Sequence, residues 1–400
     1  MNYKSMECHL VFHQTDETDT VKACLKTATK WQIKEAKAFL TERKINMQMH
    51  SKPYVYIRVP KRDQRPVQEI IQEYLKEAEE IRLHTRVDPQ RIGSLKDTAM
   101  FIFRKSLAQN HIKLDKASPM EARWLHFAHR GGLMYAKPGI YKDVYKYDFT
   151  SFYPSICNSD CMFPIGKPTK HILTSVLDLN VLAVYRVKML TTSPLLHLKK
   201  IDKHDIDYVY ATNLDLQSAQ SLGLKFQLEP ASDWANCLAW EGIRGSCVFK
   251  GYVDQFFKMK QQGIKSGKAM LNTLTGGLMV QKERKFESGA MTGKDIDVSR
   301  FIIQSLTPDV LSYFTTSQQV FRHPDLARFG VFVTAHGRRK MVQTLKPHLE
   351  SGALVRAQTD GFVLQDMAGL EDKDATKLGT LKLEYQGGMN VVHVNKCIEL

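Results

Sequence analysis

The fold class this 400-residue sequence predicts is α+β. Short apolar runs of strand character alternate with helical stretches, without an internal repeat. Two acidic residues, Asp148 and Asp360, close two of those runs, and a lysine-studded helical stretch lies between them in the chain. With 43% hydrophobic and 25% charged residues, the composition suits two or three domains with real cores and excludes a disordered chain.

Residues 1–92 form a small mixed region: a strand near His9 to His13, a helix through Thr27 to Arg43, a strand at Tyr54 to Val59 and a charged helix from Val67 to His84. Two prolines, Pro60 and Pro66, separate the last strand from that helix. Val87-Asp88-Pro89 closes the helix, because a residue that precedes proline avoids helical geometry. Residues 93–147 contain a helix from Ser94 to Ala108, the glycine pair Gly131-Gly132, which lets the backbone approach a neighbour closely, and the start of a strand at Val144 to Phe149. Between about 165 and 245, strands are expected at Val181 to Met189 and Tyr208 to Ala211, in a segment read as an insertion. Helical pattern returns from Phe249 to Leu278. Strands follow at Gly330 to Thr334 and Ala353 to Gln358, with a helix at Arg338 to Leu349 between them.

A formal net charge of +15 and a pI of about 9.3 point to a polyanionic partner, because each phosphate met by Lys or Arg releases a condensed counterion. The seven cysteines form no C-x-x-C pair and no zinc-ligand spacing, which suggests free thiols in a reducing compartment. No apolar leader and no membrane-length apolar run is found, so a cytoplasmic location with no membrane partner is expected.

Three segments carry chemistry. The first is Asp148-Phe149-Thr150-Ser151-Phe152-Tyr153-Pro154-Ser155, an acid at a strand end before an aromatic-proline turn. The second is the helix bearing Lys265, Lys268, Asn272 and Thr275, whose spacing brings them to one face suited to a polyphosphate. The third is Gln358-Thr359-Asp360-Gly361 between apolar runs, which reads as a hairpin with Asp-Gly in the turn. Taken singly, each has a plainer reading: a cap or turn aspartate, a solvated basic stripe, a structural turn. Taken together, acid, lysine helix and acid follow the order of a template-directed nucleotidyl transferase, with both carboxylates able to hold divalent metal against phosphate.

The first octet resembles motif A, D-x-x-S-L-Y-P-S, of the family B DNA polymerases. Lys268-Ala-Met-Leu-Asn272-Thr273-Leu274-Thr275-Gly276 resembles motif B, and Gln358 to Gly361 resembles motif C, D-T-D-S. The resemblance covers roughly residues 93–400 and lies nearest in pattern to the protein-primed branch. It implies a polymerase right hand. Residues 148–245 and 291–400 would form an antiparallel-sheet palm, residues 246–290 helical fingers, and residues 93–147 a template-strand linker region. The thumb would be short or missing, and residues 1–92 would be an N-terminal module or exonuclease remnant.

The same resemblance makes Asp148 and Asp360 the catalytic metal ligands, assisted by the Phe149 carbonyl, with two Mg²⁺ ions for which Mn²⁺ can substitute. Tyr153 would lie beneath the incoming sugar and exclude a 2′-hydroxyl, while Lys265, Lys268 and Asn272 would bind the nucleotide. Thr334, Gly337, Arg338 and Arg339 (T-x-x-G-R and its basic extension), Arg130, Gly131 and Gly132 (Y-x-G-G, with His129 for tyrosine) and Lys396 (K-x-Y) would contact DNA. The implied partners are primer-template DNA, deoxynucleoside triphosphates and a terminal protein primer. Beside His129, several positions depart from the pattern: Gln358 replaces the first acid of motif C, Gly361 its serine, Thr273 the serine and Thr275 the tyrosine of motif B, and Ile398 the tyrosine of K-x-Y. The N-terminal Asp16-Glu17-Thr18-Asp19 contains no D-x-E, so no proofreading is expected. The rival readings are an inactive polymerase-like shell that binds nucleic acid, and a reverse transcriptase or primase-like enzyme.

Overall fold

The computed structural model describes residues 67–400 except 93–94, 174–177, 199–206, 231–234, 282–284, 288–300, 307–309, 316–319, 367–369, 371–373 and 375, together with short strands between residues 10 and 60. The chain divides into two compact units, Met1–Gln109 with Asp254–Gly277 and Asn110–Val253 with Leu278–Leu400. Among the described residues, no helix is long and apolar enough to cross a membrane.

In the first unit, β1 (Leu10–Val11) pairs in parallel with β4 (Val55–Tyr56), while β2 (His13–Thr15), β3 (Thr18–Val21) and β5 (Val59–Pro60) form an antiparallel sheet. The expected strands at His9 to His13 and Tyr54 to Val59 fall on these elements, and the expected helix at Thr27 to Arg43 lies outside the described residues. Helix Val67–Thr85 buries Tyr74, Ala78 and Ile81, a spacing of three to four residues that puts them on one face. The Glu80 carboxylate of this helix accepts from the Ser266 amide and hydroxyl at 3.4 and 2.8 Å, which ties it to the start of helix Lys265–Leu278.

The second unit contains a six-stranded antiparallel sheet, ordered β19 (Lys396–Glu399), β18 (Leu381–His393), β7 (Gly139–Phe149), β17 (Gly361–Leu364), β16 (Leu354–Thr359), β6 (Leu133–Ala136). Irregular register in β16 and at two places in β18 sharpens the local twist, and the sheet curls. The curl is deep enough for Arg356 Nε of β16 to donate to the Val394 carbonyl beyond β18, at 2.8 Å. Val144, Val355, Val363, Met389 and Val391 close the inside of the curl as one buried cluster, each such side chain contributing about 1.5–3 kcal/mol of burial energy.

A second sheet is built from β8 (Met162–His171), β9 (Leu182–Met189), β10 (Val209–Thr212), β11 (Phe226–Leu228) and β12 (Cys237–Arg244). Its β9 and β10 match the strands expected there. A third sheet joins β13 (Lys285–Glu287), β14 (Phe301–Leu306) and β15 (Val310–Thr315).

One long helix, Ala327–Glu350, replaces the expected strand at Gly330 to Thr334 and the separate helix after it. Every residue from Ala327 to Arg338 in it is buried. A helix covered on all sides shows an unbroken apolar run, and periodicity cannot tell that from a buried strand. The helix is anchored by Arg328, which donates through Nε and Nη2 to the Glu121 carboxylate at 2.5 and 2.9 Å, while Trp240 Nε1 donates to the same carboxylate at 3.2 Å. Glu121 sits in helix Pro119–Ala128, which starts where the theory of caps says it should: the Ser118 hydroxyl accepts from the Glu121 amide and proline fills the first turn.

Candidate active site

Asp148 and Asp360 come from adjacent antiparallel strands. Asp148 is the penultimate residue of β7 and pairs across the ladder with Gly361, the first residue of β17, and the Phe149 amide donates to the Asp360 carbonyl at 3.3 Å. The turn that presents Asp360 is tighter than expected: Gln358 pairs with Gly361, so the turn residues are Thr359 and Asp360, and Gly361 already belongs to the strand. Thr359 holds φ 61°, and the Asp360 amide donates two residues back to the Gln358 carbonyl at 2.8 Å. A β-branched residue in the left-handed region is strained, and such strain collects at functional sites.

A third carboxylate joins them. Leu383 pairs with Tyr147 and Tyr385 with Lys146, so Glu384 is the extra residue of a bulge in β18, and its charge reaches both aspartates. Burial, then the Asp360 and Glu384 charges, push the Asp148 carboxyl up to about 6, with Lys382 and Lys146 pulling the other way. Asp360 is also raised, by burial first and by Glu384. Carboxylates crowded this way favour a divalent cation that would offset their repulsion. Among the described residues no three His, Cys, Asp or Glu side chains form a ready-made metal cage. Two aspartates with hard oxygen donors still suit Mg²⁺, which keeps several waters and commonly takes one or two carboxylates plus substrate phosphates.

Helix Phe152–Cys157 begins at Ser151, which has φ 52°, so Asp148 is followed by a left-handed step into a helix where the sequence suggested a turn. Pro154 is tolerated in its first turn, where backbone amides have no helical acceptor. Tyr153 on this helix is pushed up to about 12 by burial, with Asp360 raising it and Arg338 lowering it. Its ring packs over Gly337, where an added Cβ would lie 2.8 Å from Tyr153 Cε1. Lys340 of the same long helix holds its ammonium 4.5 Å from the Phe149 ring centroid.

The organellar and viral type B DNA polymerase profile matches residues 1–279. The chain belongs to this family. Among solved structures, Phi29 DNA polymerase complexed with primer-template DNA has a TM-score of 0.59 at 18% identity, covering 83% of this chain and 57% of that one. Phi29 DNA polymerase complexed with primer-template DNA and incoming nucleotide substrates has a TM-score of 0.60 at 16% identity, covering 83% and 59%. At such identities the likeness is one of fold, a curled antiparallel sheet with surrounding helices, and the chain spans less than two thirds of the length of either structure. No curated protein sequence matches it.

Within this type B polymerase chain, the residues expected to touch DNA divide into two groups. Lys396 and Gly131 are exposed, and Arg339 and Gly132 half-buried. Arg130, Thr334, Gly337 and Arg338 are buried. Arg338 donates through Nε and Nη2 to the Asp215 carboxylate at 2.7 and 2.9 Å and through Nη1 to the Arg130 and Gly131 carbonyls at 2.6 and 2.8 Å. Arg130 donates to the Ala128 and Leu198 carbonyls, and Thr334 to the Val331 carbonyl. The two arginine side chains hold the loop that carries Gly131 and Gly132.

Gln358, at the departure in motif C, is held by Arg356, whose Nη2 donates to its amide oxygen, and donates from Nε2 to Asn395 Oδ1 at 3.0 Å. It therefore bridges β16 to the turn that precedes Lys396.

In the other unit, Lys265, Lys268 and Asn272 lie on the exposed face of helix Lys265–Leu278, while Ser266, Gly267, Met270, Leu271 and Leu274 are buried. The single face expected from their spacing is present. Lys265 also lines a groove of about 250 Å³ with Glu69, Glu73, Glu77 and Glu80.

Sequence reasoning missed Glu384, Lys382 and Asp215. Leu381-Lys382-Leu383-Glu384 reads as an ordinary alternating strand, and neither the bulge at Glu384 nor its pairing partner has a local signature. Among the described residues, Cys157, Cys161, Cys237, Cys247 and Cys397 are free thiols.

Proposed function

We propose that the chain is a DNA-directed DNA polymerase that adds deoxynucleotides to a primer 3′-hydroxyl, or to the hydroxyl of a terminal protein primer, without proofreading. The observation that carries this reading is the juxtaposition of Asp148, near the end of β7, and Asp360, in the turn that leads into the neighbouring β17, with the charges of Asp360 and Glu384 both felt at Asp148. In this reading the six-stranded sheet is the palm and helix Lys265–Leu278 belongs to the fingers. Asp148 and Asp360, with the Phe149 carbonyl, would hold Mg²⁺, or Mn²⁺ in its place. Bound divalent metal would ease loss of the primer hydroxyl's proton and offset charge on the leaving pyrophosphate.

The chain's own groups bind and orient. Lys265 and Lys268 meet phosphate oxygens of the deoxynucleoside triphosphate, Asn272 fixes its position, and the Tyr153 ring stands where a ribose 2′-hydroxyl would clash. Lys396 and Arg339 contact primer-template DNA. Support comes from the family membership and from the Phi29 polymerase complexes with primer-template DNA and nucleotides, which share the fold.

The test is extension of a labelled primer on a DNA template with Mg²⁺ or Mn²⁺. The parent chain should incorporate deoxynucleotides, and Asp148→Ala and Asp360→Ala should each lower incorporation by at least about a thousandfold while DNA binding by fluorescence anisotropy stays near the parental value. Variants that extend at the parental rate would refute the site. A parent that binds DNA but incorporates nothing with either metal would favour the inactive shell.

A further inference from the structure

The ladder that presents Asp148 also presents a lysine. Gln358 pairs with Gly361, Gly361 with Asp148, and Asp148 with Lys382, so these residues form one row across β16, β17, β7 and β18 with side chains on a common face. Lys382 Nζ donates to Glu384 Oε1 at 2.7 Å and lies 3.9 Å from Asp148 Oδ2. Both aspartates feel its charge, and Glu384 keeps it firmly protonated. An ammonium thus stands beside Asp148 and Glu384, at the place where Asp148 and Asp360 would receive a divalent cation. Lys146, the next cation along the same face of β7, is drawn toward Glu399 at 3.2 Å and only loosely toward Glu384 at 3.8 Å, which leaves Lys382 as the charge nearest Asp148.

We propose that Lys382 is a built-in competitor of the divalent cation, occupying the Asp148 and Glu384 carboxylates before metal binds and setting how tightly metal is held. Its side chain is 38% exposed, so it has room to swing toward solvent when a cation arrives. An ammonium that leaves its two carboxylates for the solvent loses both contacts, and that loss is subtracted from the metal's binding energy. The proposal rests on the reading of Asp148 and Asp360 as metal ligands, and its test separates the two.

Binding of Mn²⁺ alone to the full chain is measured by the loss of the free-ion electron paramagnetic resonance signal, without DNA or nucleotide. Lys382→Met should bind Mn²⁺ about tenfold or more tightly than the parent, as removal of one nearby positive charge implies, whereas Lys382→Arg should stay within about twofold of it. Asp148→Asn in the Lys382→Met background should lose the gain. Should Lys382→Met fail to fold by circular dichroism, Lys382→Gln serves the same comparison. Equal or weaker Mn²⁺ binding by the neutral variant overturns the proposal, as does absence of binding in both parent and variant. A chain that extends primers while Lys382→Met leaves Mn²⁺ affinity unchanged refutes the competitor role and spares the polymerase reading. A tightened site in a chain that incorporates nothing does the reverse.

Discussion

Arg338 and Asp215 form a bidentate, fully buried ion pair between the long helix Ala327–Glu350 and helix Asn213–Ser221, at 2.7 and 2.9 Å with 3% and 0% of the side chains exposed. Burial alone would raise the Asp215 carboxyl, but Arg338, helped by Arg130 and the Thr212 hydroxyl, carries it below its usual range. Breaking such a pair leaves one charge stranded, at a cost of about 3–5 kcal/mol. Arg338→Met and Asp215→Leu should each lower stability by that much in urea unfolding. The double variant should recover a large part of the loss, because neither charge is then left without its partner. A double variant as unstable as the sum of the singles would show that the pair is not coupled.

Gly132 touches the backbone of the residue before Asp360: a Cβ at 132 would lie 2.7 Å from Thr359 Cα. Backbone cannot rotate aside as a side-chain tip can, so Gly132→Ala should cost about 1–3 kcal/mol and shift the strained turn. Asp360 moves with that turn. Incorporation should therefore fall about a hundredfold while DNA affinity changes little, as checked by steady-state primer extension beside anisotropy titration.

The Tyr153 ring depends on a missing side chain at 337, where a Cβ would stand 2.8 Å from Cε1. Gly337→Ala should push the ring from its seat. The measurable result is a fall of about tenfold in the preference for deoxynucleotides over ribonucleotides, read from single-nucleotide incorporation with each sugar. An unchanged preference would remove Tyr153 from the sugar-selecting role.

His336 is buried beside Phe163, and its Nε2 donates to the Met162 carbonyl at 2.8 Å. Burial lowers its pKa to about 4, against an ordinary 6.5. The unfolded chain takes up this proton as pH falls through 6.5 and the folded chain does not until about 4, so stability drops with acidity across that window. The slope from this residue is at most about 1.4 kcal/mol per pH unit, and none of it appears above pH 7. Urea unfolding from pH 7 to 5 should show His336→Gln losing less stability than the parent over the same range.

Much of this arrangement is legible in local chemistry. Asp148 at a strand end, the basic face of Lys265, Lys268 and Asn272, and the strands around Asp360 all follow from residue type and spacing. The Ser118 cap belongs with them, although only the structure drew notice to it. Gly330 to Thr334 misled because a fully covered helix and a buried strand present the same apolar run. The burial of Arg338 was not legible, because a basic cluster in sequence does not reveal whether its charges face solvent or an internal carboxylate such as Asp215.

By itself, then, the sequence determined the family to which the order of its acids, lysines and glycines belongs. Only tertiary structure decided that Thr359 and not Gly361 makes the turn, that Glu384 falls at a bulge in β18, that Lys382 stands beside Asp148, and that Arg338 spends its charge on Asp215. The physical reason is that ladder register and desolvation are set by partners 100 or more residues apart in several of these contacts, as between Arg338 and Asp215, and no local pattern records who those partners are.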